Sequence, residues 1–228
     1  MNQSDKHNIT TNTSEGSVEK YPDLFHKLEK SKTRISYLKG ETLFKQGAFA
    51  PYILYIVKGL VKVYLQTGYD RQVNLSLARS GEFLAFSSIF GENIHTYSGL
   101  ALKDSEICMI EKESLTEILL ANPQFALEIT SKNYRNERHL LEVIKNLSYK
   151  QMRGKLASTL LYLTQQDFLS EGVFDYLTRQ DIADFASIST ESAIKFLKEF
   201  EKENILILNG KNIEVLDEKK LDVISKTS

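Results

Sequence analysis

Between Pro123 and Leu147 the chain carries neither a glycine nor a further proline, and so long a run without helix breakers leaves few alternatives to a single helix. Ile129, Leu140, Leu141, Val143, Ile144 and Leu147 recur there among charged residues, which is the pattern of an amphipathic helix. About 25 residues at 1.5 Å each rise ~37 Å, more than one small barrel can cover. The uncovered face calls for a partner, most simply the same helix of a second subunit.

The segments on either side have different textures. Residues 1–20 are rich in Ser, Thr, Asn and Lys and poor in large apolar side chains, so they are expected to form a disordered tail. From Leu38 to about Met109, glycines stand at 40, 47, 59, 68, 81, 91 and 99, the turn rhythm of a small all-β sandwich or barrel. "YILYIVKG" and "LVKVYLQTG" are its clearest strands, with Thr67-Gly68 near a hairpin turn. A length of 228 residues suits two domains, and boundaries are expected after residues 20, 122 and 147.

Composition excludes some classes. The single cysteine, Cys108, cannot close an intramolecular disulfide and lies in the apolar run "EICMI", where a thiol behaves as a small buried hydrophobe. No apolar run approaches the ~18 residues of a membrane span, and the N-terminal stretch lacks the marks of a signal peptide, so a cytoplasmic protein is expected. Net charge is -1. There is no global basic field, and any nucleic-acid reading must rest on local geometry.

The last third supplies that geometry. "KQMRGKLASTLLYLTQQ" reads as a helix, followed by a loop at Gly172, two short helices and a ribbon, "NILILNGKNIEVLD", turning at Asn209-Gly210. Helix, helix, helix, hairpin is the order of a winged helix-turn-helix. Thr178 has the chemistry of an N-cap with Asp181 in the first turn, Ser187 marks a turn, and Ser189 can cap a second helix with Ser192 three positions on. In that second helix Ala193, Phe196, Leu197 and Phe200 share one face, leaving Glu191, Ile194, Lys195 and Lys198 on the other. From Ser131 to Lys155 there are seven Lys or Arg against two acidic residues, a basic approach to the motif.

From about Tyr37 to Val215 the chain resembles the Crp/Fnr family of bacterial transcription regulators. The resemblance joins "SGEFLAFSSIFGENIHTYSG", "NLSYKQMRGKLASTLLYL" and "LTRQDIADFASISTESAIKFLKEFEKENIL" in the family's order. It implies an α+β protein: a jelly-roll-like, cyclic-nucleotide-binding-like β-roll effector domain over 21–122, a dimerisation helix over 123–147, and a winged helix-turn-helix over 148–228. The function implied is sequence-specific binding of double-stranded DNA by a homodimer on an inverted repeat, with RNA polymerase as a further partner and no enzymatic activity. Thr178, Arg179 and Gln180 would hold the phosphate backbone, Ser189, Thr190, Glu191, Ser192, Ile194, Lys195 and Lys198 would face the major groove, and Lys211 would stand on the wing. The family usually has Arg-Glu-x-x-x-Arg in the recognition helix, whereas this chain has Thr190, Glu191 and Lys195.

The effector segment departs further. Members responsive to cyclic AMP supply a glutamate for the ribose and an Arg-Ser pair for the phosphate, where this chain has Phe86 and Thr96-Tyr97. Leu140 and Leu141 stand at the adenine-binding hydroxyl positions of the long helix. With Gly81, Glu82 and Phe83 these residues form the candidate effector pocket, for which cyclic AMP is disfavoured because a buried phosphate needs a cation. No cofactor is expected: one cysteine cannot supply four cluster ligands, and His95 and His139 are isolated candidates for haem. A cupin-like metalloenzyme would need clustered His and carboxylate ligands, and an adaptor using the β-roll alone would lack DNA binding.

Overall fold

The computed structural model describes residues 32–69 and 71–227, so the expected tail over 1–20 lies outside the described residues. Among the described residues eight strands come first: β1 (Lys32–Tyr37), β2 (Thr42–Phe44), β3 (Tyr52–Lys58), β4 (Leu60–Gly68), β5 (Arg71–Arg79), β6 (Phe83–Leu84), β7 (Ser98–Ala101) and β8 (Ser105–Glu111). They form two antiparallel four-stranded sheets, ordered β1-β8-β3-β6 and β2-β7-β4-β5. The inner faces meet on Phe44, Leu54, Ile56, Val61, Val63, Ala78, Leu84 and Ile107. Strand β3 is covered on its other face too, where Ile53 and Tyr55 join Cys108, Ile110 and the helices that follow. Burial on both faces accounts for its unbroken apolar run, since alternate side chains point to opposite sides.

Gly59, between β3 and β4, is dictated by the close approach of another strand. Its φ is +133°, and a Cβ would lie 2.1 Å from the Ser105 hydroxyl oxygen. The next hairpin closes slightly beyond the expected Thr67-Gly68, since Gly68 still pairs with Arg71.

Helix α1 (Lys112–Ala121) follows β8 directly, and α2 (Pro123–Tyr149) is the long helix, 27 residues. A proline in the first turn and an Asn122 side chain accepting from the Phe125 N–H at 3.0 Å start α2. Phe125 and Ile129 seat it against the roll, while Leu140, Leu141, Ile144 and Leu147 remain exposed. After it come α3 (Met152–Leu163), the single turns α4 (Gln166–Leu169) and α5 (Val173–Tyr176), then α6 (Arg179–Ala186), α7 (Thr190–Lys202), β9 (Leu206–Asn209), β10 (Asn212–Val215) and α8 (Glu218–Thr227). Helices α1 and α8 add to the expected elements. The latter buries Leu221 in the C-terminal core beside Leu156, Leu160 and Leu163 of α3.

That core does not stop at the domain boundary. Leu60, Leu77 and Leu102 of the roll belong to the same apolar cluster as α3, α6 and α7. Polar contacts reinforce the junction. The Lys62 ammonium lies 2.5 Å from an Asp181 carboxylate oxygen, the Asn74 amide donates to the Asp181 carbonyl at 3.0 Å, and the Gln72 amide donates to Asp184 at 2.7 Å. Lys103 pairs with Glu171 at 2.5 Å, and Arg79 pairs with Asp167. The Leu77 N–H donates to the Tyr162 hydroxyl at 2.9 Å, and the ring of Tyr162 stacks on His139, centroids 4.1 Å apart. His139 Nε2 in turn donates to the Leu75 carbonyl at 2.8 Å.

Candidate nucleic-acid interface

The helix-turn-helix is built from local caps. Thr178 and Asp181 form a reciprocal capping box at the start of α6: the threonine hydroxyl accepts from the Asp181 N–H at 3.0 Å, and the Asp181 carboxylate accepts from the Thr178 N–H at 2.8 Å. The end of α6 is closed by Ser187 in the left-handed region, φ 50°, with the Ile188 N–H donating back to the Ala183 carbonyl at 3.1 Å. Ser189 then caps α7, accepting from the Ser192 N–H at 3.2 Å.

Packing fixes which face of α7 is offered. Ala193, Leu197 and Phe200 are buried and Phe196 packs beside them, as the spacing requires. Glu191, Ile194, Lys195 and Lys198 are exposed. Several of the other expected contact residues are occupied within the protein. Thr190 donates its hydroxyl to the Gln180 side-chain oxygen, Gln180 donates its amide to Asp184 at 2.7 Å, and Ser189 donates to the Ser192 hydroxyl at 3.1 Å. Arg179 donates to the Gly210 carbonyl at 2.8 Å and to that of Lys211 at 3.2 Å. Burial pulls its guanidinium below the usual range.

Arg179 therefore ties the first turn of α6 to the tip of the wing. The wing turn itself is one residue later than the sequence suggested. Asn209 pairs with Asn212, which leaves Gly210, at φ +62°, and Lys211 as the two turn residues. Lys211 stands exposed at that tip.

Most of the acidic residues of α7 and its flank are engaged within the protein. Glu201 accepts from the Leu208 N–H at 3.1 Å, Glu203 pairs with Arg153 at 2.6 Å and with Lys220 at 3.6 Å, and Glu199 lies 3.9 Å from Lys195. Glu191 is the acidic residue left on the offered face. Its own backbone N–H and then the Ser189 hydroxyl hold its carboxyl below the usual range. It is thus an acceptor at neutral pH.

Behind α6, Asp181 is 8% exposed. Burial alone would raise its pKa, but the Lys62 ammonium and the Thr178 hydroxyl hold the carboxyl below its ordinary value. Lys62, Gln72 and Asn74 were absent from the sequence-based site. Lys62 and Asn74 alternate with Val61, Val63 and Leu75 of the roll interior, so they face out of the roll toward α6, and no local pattern marked them.

The expected effector residues divide between the roll interior, the cluster beneath α1 and the exposed surface. Tyr97 belongs to the roll interior and its hydroxyl accepts from the Ala85 N–H at 2.8 Å. Ala85 is held there at a positive φ of 56°. Phe86 points the other way, into the cluster beneath α1, with its ring centroid 6.1 Å from that of Phe83 and 6.2 Å from that of Phe90. Gly81 donates its N–H to the Ile56 carbonyl at 2.8 Å, and burial raises the pKa of Glu82 beside Arg79. Thr96 is exposed, and so are Leu140 and Leu141, outside each of the apolar clusters.

The two haem candidates have packing roles. His95 stacks on Phe44 with centroids 4.2 Å apart, and His139 bonds Leu75; burial lowers the pKa of both rings. Among the described residues no three His, Cys, Asp or Glu side chains are grouped to hold a metal, and no helix is long and apolar enough to cross a membrane.

Comparison with known proteins follows the two halves of the fold. Residues 34–122 match the family described as cyclic nucleotide-binding domain, and residues 154–224 match the Crp-like helix-turn-helix domain. The cAMP-activated global transcriptional regulator CRP of Salmonella typhimurium is 28% identical over 183 residues, covering 78% of this chain and 87% of its own. Among solved structures, FixK2 from Bradyrhizobium japonicum superposes with a TM-score of 0.70 at 19% identity, covering 86% of this chain and 98% of its own. The c-di-GMP responsive global regulator CLP of Xanthomonas campestris gives 0.72 at 18% identity, covering 85% and 98%. These two structures bear on the fold alone.

Proposed function

Because this chain belongs to the Crp/Fnr family of DNA-binding transcription regulators, and is not an enzyme, we propose that it binds an inverted-repeat operator as a homodimer, with α7 in the major groove and without a requirement for cyclic AMP. The observation that carries the reading is the offered face of α7: Glu191, Ile194, Lys195 and Lys198 project outward while the neighbouring polar groups are spent inside the protein. Glu191 can accept from a cytosine amino group and Lys195 can donate to guanine O6 or N7. Lys198 and the wing's Lys211 suit phosphates, and Thr178 and Gln180 flank them at the start of α6.

Dimerisation is supported by the exposed row Leu140, Leu141, Ile144 and Leu147 on α2, which nothing among the described residues covers. A second copy of the helix would bury that row, and two-fold symmetry would set two α7 helices about one DNA turn apart. Indifference to cyclic AMP is supported by Phe86 packing under α1, by Thr96 offering no cation, and by the Ala85 N–H being taken by Tyr97. Selection of bound sequences from random duplex DNA tests the reading. It should return an inverted repeat, and Leu140→Asp with Val143→Asp should give monomers in sedimentation that have lost the selected site.

A further inference from the structure

Ile194 is the one side chain on the offered face of α7 that can serve neither a phosphate nor a base hydrogen-bonding edge. It is 38% exposed, while Ala193 before it and Leu197 after it are buried, so it is no frayed margin of the core. Single exposed aliphatic side chains are ordinary on protein surfaces. Here the position is what matters. Ile194 lies one turn behind Glu191 and next to Lys195, both exposed, near the capped start of the helix.

The edges of the base pairs in the major groove are almost wholly polar, and the thymine C5-methyl is their one apolar group. A β-branched alkyl side chain held between an acceptor and a donor matches that group and is mismatched to every other edge. The competing apolar contact, the methyl of Thr190, is restrained by the hydroxyl's bond to Gln180. Resting on the assignment of α7 as the recognition helix, we propose that Ile194 packs on the methyl of a thymine immediately beside the base pair contacted by Glu191 and Lys195. It thereby selects T at that step of each half-site.

Replacement of thymine by deoxyuridine removes the methyl and leaves the hydrogen-bonding edge intact. The full-length dimer should bind its selected operator about fourfold more weakly with one such replacement at the specified position, the equivalent of ~0.8 kcal/mol for one methyl-sized apolar group. Replacement in both half-sites should cost about fifteenfold. Ile194→Ala should bind the thymine and uracil operators equally, and because the side chain is exposed the variant should keep the parent's thermal unfolding. Equal binding of thymine and uracil operators by the parent chain at every position would overturn the proposal. A uracil penalty that persists in Ile194→Ala would do the same, since another side chain would then be reading the methyl. Failure to select any sequence would instead remove the recognition-helix assignment on which the proposal rests.

Discussion

The effector-side segment, residues 81–97, and the helix-turn-helix, residues 178–200, are both rich in polar backbone and side-chain groups, yet they dispose of them in opposite ways. In the first, Tyr97 takes up the Ala85 N–H and Phe86 packs beneath α1, so these two expected effector positions are engaged within the protein. In the second, Thr178, Gln180, Ser187 and Ser189 are used to shape the turn, and the row Glu191, Ile194, Lys195 and Lys198 is left exposed. A polar group that is already bonded gains little from a ligand, because binding only exchanges one partner for another. On the proposed reading, the contrast separates a face that meets DNA from a segment that does not take up cyclic AMP.

The two regions are mechanically joined through α6, and the largest expected effect comes from breaking that joint. Lys62→Met would leave the Asp181 carboxylate buried without its cation and should destabilise the protein by about 3 kcal/mol in denaturant unfolding. Adding Asp181→Asn should restore a substantial part of that loss. Equal stability of Lys62→Met and the parent would show that the junction contributes nothing to folding.

Next in size, Glu191→Ala should cost about 2 kcal/mol at one base pair of the operator and relax its identity, leaving other positions unchanged. An unaltered preference at every position would sink the orientation assigned to α7. Arg179→Ala should cost about 1 kcal/mol, spread evenly over all sequences, because the guanidinium holds the wing tip and does not read a base. Its signature is increased backbone exchange at Gly210 and Lys211. A loss of affinity with an unchanged wing would return Arg179 to direct phosphate contact.

The smallest effect concerns acid. Burial holds the His139 pKa below its ordinary value, against the opposing influence of the Leu75 carbonyl and Glu142. A base whose folded pKa is depressed binds fewer protons folded than unfolded. Its contribution is therefore complete above the unfolded value, about 6.5, and declines as the pH falls toward the folded one. Unfolding of the parent between pH 7 and pH 5 should show this decline, and His139→Gln should flatten it. An identical pH profile for the two would place the decline elsewhere.

How much of this was legible in the sequence depends on the range of the interaction. The caps at Thr178 and Ser189 and the buried stripe of α7 were legible because each is fixed by residues three or four apart. The glycine rhythm and the unbroken run after Pro123 similarly announced the roll and the long helix. The Lys62–Asp181 pair joins residues 119 apart; Asp181 was legible as a first-turn acid, but no local pattern marks Lys62 as its partner. Tyr97 was legible as a missing serine, but its hydroxyl's use on Ala85 required the backbone. The shift of the wing turn from Asn209-Gly210 to Gly210-Lys211 is a register detail that an Asn-Gly signal fixes only to within one residue.

The central claim is that an open DNA-reading face works alongside a closed effector segment, and the most direct measurement is affinity for the selected operator with and without saturating cyclic AMP. Equal dissociation constants in the two conditions, with a salt dependence set by Lys198, Lys211 and their neighbours, are the predicted result. Specific binding that appears only when cyclic AMP is added would contradict the account.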